Sequence, residues 1–208
     1  MGGPEHPDLD RLAAAAPAQA ADLIARLLDP RIVLGLTLAV TCLRQATSPA
    51  AGLGWLGVTA LSCIGVPWLM LVLLLHRGRV ADAQVVQREQ RRLPLVAALA
   101  SIVVGLVALH LLDAPRPIVA LVAAILASGL AITVISWWHK ASIHTGVAVA
   151  AGAVLAQQVS GWVWMVGMPL AAAVGWARWR AGRHTGWQVV SGALVGLAVG
   201  GGVFGVLR

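Results

Sequence analysis

The strongest constraint on this chain is a succession of apolar stretches, at 31–46, 53–75, 94–113, 117–138, 142–158, 161–177 and 185–207. Crossing a bilayer takes about 20 predominantly apolar residues, with a range of roughly 17–25. The first, fifth and sixth stretches are short by that measure, and Arg44 shortens the first further. A soluble domain of 208 residues cannot hide so many segments of this kind, and only 11% of the residues are charged, against about 25% in ordinary soluble domains. In lipid every backbone N–H and C=O has to be paired internally, and a helix does this within one segment. Sustained period-two alternation is missing, so long strands are not expected. The expectation is an all-α fold: a polytopic transmembrane helix bundle of about six to seven spans, six if the first only dips into the membrane. Breaker signals separate the spans at Ser48-Pro49, Asp113-Ala114-Pro115, Ser160-Gly161 and Gly182.

Residues 1–30 precede this domain and have no basic start followed by an apolar core, so no cleavable signal is expected. They read as an amphipathic surface segment with Leu9, Leu12, Leu23, Ile24, Leu27 and Leu28 on its apolar side and an interruption at Pro17. The transmembrane helical domain then covers 31–208. Nine tryptophans accompany no tyrosine. Trp137, Trp138, Trp162, Trp164, Trp176, Trp179 and Trp187 fall near predicted helix ends, where an amphipathic ring prefers the membrane interface. Gly192, Gly196 and Gly200 recur at every fourth residue of the last span, a small-residue face suited to close helix packing. Cys42 and Cys63 both lie in apolar stretches and suggest neither a disulfide nor a metal cluster.

The net charge of +7 is unevenly spread. Arginines gather at Arg77, Arg79, Arg88, Arg91 and Arg92, and again at Arg178, Arg180 and Arg183. No soluble basic module is present to bind nucleic acid; membrane loops and anionic lipid headgroups fit better. With seven spans, the 76–93, 138–144 and 178–188 segments share one face and hold most of the basic residues. The positive-inside rule turns that face to the cytoplasm, although a phosphate site would itself require the same arginines. Two stretches there stand immediately before apolar runs: Lys140-Ala141-Ser142-Ile143-His144 and Arg178-Trp179-Arg180-Ala181-Gly182-Arg183-His184. A helix N-terminus already favours an anion through its unpaired N–H groups and dipole. Arginine adds a planar fork matched to phosphate oxygens, and lysine a point charge. Arg77 and Arg79 read as topology residues, His139 as interfacial, His110 as packed or pore-facing, and Asp113 with Arg116 as a turn on the opposite face.

These stretches resemble the motifs of the type 2 phosphatidic acid phosphatases, relatives of the vanadium haloperoxidases. The family motifs read K-x6-R-P, P-S-G-H and S-R-x5-H-x3-D. Ala141-Ser142-Ile143-His144 keeps the serine and histidine of the second, and Arg178 with His184 keeps the arginine–histidine spacing of the third. Arg88, Arg91, Arg92 and Pro94 only echo the first, and Gly182-Arg183-His184-Thr185 is similar to a variant of short bacterial members. The resemblance covers roughly 80–207. It implies that His184 attacks phosphorus to form a phosphohistidine and that His144 protonates the leaving oxygen, then activates water. Arg178, Ser142, Lys140, Arg183 and Arg92 would bind the phosphate oxygens. The family aspartate that orients the nucleophile is replaced by Gln188, which accepts a hydrogen bond but carries no charge. Either catalysis is slow, or Asp82 or Glu89 of the basic loop supplies the carboxylate.

The expectation is therefore a multi-pass cell-membrane hydrolase that acts on lipid phosphates or isoprenyl (di)phosphates. It needs no cofactor and no metal, and its partners are the lipid-soluble phosphate substrate and membrane lipids. Two other readings stay open: a diphosphate-ionising isoprenoid transferase or lyase, and a non-catalytic protein that binds or translocates phospholipid headgroups.

Overall fold

The computed structural model describes residues 7–81 and 92–208. Among the described residues the regular structure is all helical, with no strand. Helix α1 (Pro7–Leu27) leads into α2 (Pro30–Gln45). Helix α3 (Pro49–His76) follows, then α4 (Arg92–Leu111), α5 (Arg116–Ile135), α6 (Ile143–Gln158), α7 (Val163–Arg180) and α8 (Gly186–Leu207). The seven expected apolar segments each become a helix. Four of these, Pro49–His76, Leu93–Leu111, Arg116–Ile135 and Gly186–Leu207, are long and apolar enough to cross a membrane. Their outer faces carry exposed Leu69, Val104, Leu130, Leu194 and Val206, an apolar surface that water would not tolerate over this extent.

Helix starts follow local chemistry. Asp29 caps α2 by accepting the Arg31 N–H, with Pro30 at the first helical position. Ser48 caps α3 in the same way, again ahead of a proline. Pro17 does not interrupt the first helix, as the sequence suggested: α1 runs through it. A proline there removes one N–H and kinks more than it terminates when the flanking turns pack. Ala21 of α1 is fully buried and α1 lies against α7, while Leu23 and Leu27 stay exposed. The side chains of Leu9 and Leu12 lie outside the described residues.

The short α6 is the centre, packed by α2, α7 and α8, with Thr145, Gly146, Val149, Ala151, Gly152, Ala153 and Val154 all buried. Its far end is tied to α2, where Gln158 Nε2 donates to Thr41 Oγ1 at 2.9 Å and Arg44 donates to the Gln158 carbonyl at 3.3 Å. Arg44, which shortened the first apolar stretch, thus satisfies a helix C-terminus. The last helix approaches α6 backbone to backbone. A Cβ on Gly192 would lie 2.3 Å from the Ser142 carbonyl oxygen, and one on Gly196 would lie 2.2 Å from that of Gly146. The glycine stripe of α8 therefore meets a second stripe, Ser142-Gly146-Ala150, on α6. Of the tryptophans, Trp137, Trp138, Trp162, Trp176, Trp179 and Trp187 are exposed near helix ends. Trp164 departs from that pattern and packs against Gly152.

Candidate functional site

The start of α6, the end of α7 and the start of α8 converge at one end of the bundle. Helix α7 ends at Arg180 and turns through Gly182 at φ 64°, in the left-handed region that glycine enters without a Cβ clash. That turn brings the Arg183 and His184 N–H groups back to the Arg178 carbonyl, at 3.1 and 3.3 Å. The six-residue spacing between Arg178 and His184 is thereby converted into adjacency. Arg178 itself is buried, only 6% exposed, in the last turn of α7.

His184 is oriented by the first turn of α8. Thr185 caps that helix in a reciprocal box: its Oγ1 accepts the Gln188 N–H at 3.3 Å, and Gln188 Oε1 accepts the Thr185 N–H at 3.2 Å. The same Gln188 Oε1 lies 3.3 Å from His184 Nδ1. Because Oε1 is already receiving a backbone N–H, it is an acceptor towards the ring as well. Nδ1 therefore carries the proton and Nε2 is the basic nitrogen. Gln188 thus holds His184 in one tautomer while it also secures the helix start.

Ser142 caps α6 and is fully buried. Its hydroxyl accepts from the Thr145 N–H at 3.4 Å and from Thr145 Oγ1 at 3.0 Å, and its own N–H donates to the Gln188 carbonyl at 2.9 Å. Ser191 Oγ donates to that same Gln188 carbonyl at 3.1 Å and lies 3.1 Å from His139 Nε2. His139, read as interfacial from sequence, is thus part of the lattice that joins the 139–142 segment to α8. Lys140 Nζ donates to the Arg183 carbonyl at 3.1 Å, closing the cluster from the other side. Arg183 is exposed. Arg92 opens α4, but its side chain lies outside the described residues, as do Arg88, Arg91, Asp82 and Glu89.

His144 sits in the first turn of α6, half-buried, within electrostatic range of Arg178, His184, Asp29 and Arg31. The last two were not singled out in the sequence. Asp29 looked like a helix cap, and so it is; only the packing of α1 on α7 and of α2 on α6 carries that cap to the site. Asp29 binds Arg31 through two side-chain hydrogen bonds, at 2.7 and 3.1 Å, and Arg31 lies over the Trp68 ring at 4.0 Å from its centroid. Burial works to raise the Asp29 carboxyl, but the side-chain and backbone hydrogen bonds from Arg31 outweigh it and hold the group below its ordinary range. A negative charge therefore faces the His144–Arg178 pair from a segment remote in sequence.

The arrangement offers a buried guanidinium, two histidines of which one has a fixed tautomer, and an ionised carboxylate beside them. This set can bind an anion and move a proton. A cleft of about 300 Å³ at the other end of α5, lined by His110, Asp113 and Arg116, shares no residue with this cluster. Comparison with protein-family models, with curated proteins and with solved structures returns no match for the chain.

Proposed function

We propose that the protein is a multi-pass cell-membrane phosphatase, crossing the bilayer six to seven times, that hydrolyses lipid phosphates or isoprenyl (di)phosphates. The observation that carries this reading is the turn that returns His184 to Arg178 with Nε2 as its basic nitrogen, in electrostatic reach of His144. The motif resemblance to the type 2 phosphatidic acid phosphatases supports the same assignment, residue by residue.

In this mechanism Arg178, with Lys140, Arg183 and Arg92, neutralises the non-bridging oxygens as charge builds on them. His184 Nε2 attacks phosphorus, and the P–O bond to the lipid breaks as His144 delivers a proton to the leaving oxygen. Neutral His144 then takes a proton from water, whose oxygen attacks phosphorus and breaks the P–N bond, releasing orthophosphate. Ser142 builds the floor through its cap and its N–H bond to Gln188. Asp29 offsets the positive charge around His144.

Gln188, neutral where the resembled family has a carboxylate, favours a second reading: a site that binds diphosphate and assists its departure, or one that holds a headgroup without turnover. Phosphate release by the purified, detergent-solubilised protein from isoprenyl and glycerolipid phosphates separates these. The expected result is release by the wild type and none by His184→Ala or His144→Ala. Hydrocarbon products without orthophosphate would indicate the transferase or lyase. No product from any substrate would overturn the phosphatase reading.

A further inference from the structure

Beneath the polar cluster, α2, α4, α5, α6 and α8 line a partly open apolar cavity of about 200 Å³. Its near end is formed by Ile143 and Gly146, in the same turn of α6 as His144, and by Leu95 in the first turn of α4. Its far end reaches Val154 and Leu121. From Ile143 to Val154, at about 1.5 Å per residue, the cavity follows α6 for roughly 16 Å. Gly146, Gly196 and Gly200 line it where α6 and α8 pack closely. Thr37 and Ser128 are the polar side chains in its wall, and the Thr37 hydroxyl is turned onto the Val33 carbonyl at 2.8 Å.

Interiors are close-packed, and voids larger than a water are few. An apolar void of about 150 Å³ stays dry and takes up a small hydrocarbon. A larger, elongated apolar cavity that begins beside the turn bearing His144 suits a hydrocarbon whose phosphate lies in the polar cluster. Resting on the phosphatase reading above, we propose that this cavity receives the substrate's hydrocarbon chain and that the substrate carries a single chain, as an isoprenyl or monoalkyl phosphate does. Two acyl chains entering side by side need about twice the space of one, so this cavity favours single-chain phosphates over phosphatidate-type lipids.

The test uses farnesyl phosphonate, whose C–P bond resists hydrolysis, with a photoreactive diazirine at the chain end, bound to the full-length protein in detergent. Cross-linked peptides are mapped by mass spectrometry. Labelling is expected in 121–132 of α5 and 147–154 of α6, and is expected to fall at least tenfold in Val147→Phe and in Ile125→Trp, which fill the cavity from opposite walls. Both positions are only partly buried, and melting curves of each variant identify any loss of fold. Labelling spread over the outer faces at Leu69, Val104 and Val206, unchanged in the variants, overturns the proposal. So does equal cavity labelling by the corresponding uncharged alcohol, which would make the cavity a general site for membrane hydrocarbon. Preferred hydrolysis of dipalmitoyl phosphatidate over farnesyl phosphate overturns single-chain selection. Phosphate release is measured in parallel. Cavity labelling without any release would sink the phosphatase reading and leave the chain site standing; release with only outer-face labelling would do the reverse.

Discussion

Gly192→Ala is the sharpest perturbation of the site that leaves every polar side chain in place. The added Cβ would stand 2.3 Å from the Ser142 carbonyl oxygen, where ordinary contact begins at 3.4 Å. The obstacle is backbone, so no side-chain rotation relieves it, and α8 has to move from α6 by about 1 Å, a shift large enough to matter at a catalytic site. The Ser142 N–H bond to the Gln188 carbonyl, 2.9 Å long, lies across that same contact and is stretched or lost. Overpacking of this kind costs about 1–3 kcal/mol, against a helix-propensity gain of about 1 kcal/mol from replacing glycine. Gly202→Ala, in the same helix, meets nothing within 4 Å and serves as the control. Thermal unfolding in detergent should show Gly192→Ala lowered by several degrees, at about 2–4 °C per kcal/mol for a chain of this size, and Gly202→Ala unchanged or raised. Since His184 and His144 sit on opposite sides of the shifted contact, phosphate release should fall by about 100-fold in Gly192→Ala. Equal melting temperatures and equal rates for the two variants would refute the backbone-to-backbone packing on which the site's alignment depends.

Three further outcomes follow from the same geometry. Gln188→Ala should lose about 1 kcal/mol with the capping box and most of the activity, whereas Gln188→Glu keeps the box, sets a charge beside His184 and should raise turnover above wild type; a Glu variant slower than wild type would argue against a phosphohistidine. The Asp29 carboxyl is held below its ordinary value, so its pair with Arg31 contributes stability above about pH 4 that is lost as the pH falls through the lowered value; Asp29→Asn should lack that acid-side loss in melting curves recorded from about pH 3 to pH 7. Ser128 Oγ is buried without a protein partner, and Ser128→Ala should raise the unfolding midpoint by the equivalent of about 1 kcal/mol, a gain that a destabilised variant would contradict.

What the sequence made legible was what rests on local chemistry. Apolar runs bounded by Ser48-Pro49, Asp113-Ala114-Pro115 and Gly182 gave the helices because breakers act within a few residues of themselves. The Arg178–His184 spacing was readable for the same reason, since one glycine turn fixes it. Asp29 was not readable as a site group. Its neighbours Pro30 and Arg31 explain it completely as a cap, and its approach to His144 depends on α1 and α2 docking over α7 and α6, more than a hundred residues away. Ser191 was hidden likewise, as a polar residue in an apolar helix whose partner, His139, comes from a segment 52 residues away. The glycine stripe of α8 was visible, but its mate was not, because Ser142-Gly146-Ala150 mixes residue types that share only smallness.

The two stripes also explain why the site sits below the end of the bundle. Gly192, which meets Ser142, lies six residues into α8, so α6 begins about 9 Å beneath the start of α8 at 1.5 Å per residue. A lipid-facing helix has to match the hydrocarbon thickness of about 30 Å. Helix α6, with 16 residues, is about 24 Å long and is free of that requirement because protein surrounds it. Its short length leaves its start recessed beside the first turns of α8, above the apolar cavity. Charges in such a recess interact through less water than at an open surface, so Arg178 and Asp29 act on His144 more strongly there. On the proposed phosphatase reading, a lipid-borne phosphate would reach the recess from the headgroup layer by a small vertical displacement while its chain enters the apolar cavity below. The shortness of the central helix, which counted against it as a span, is what gives the polar cluster its place.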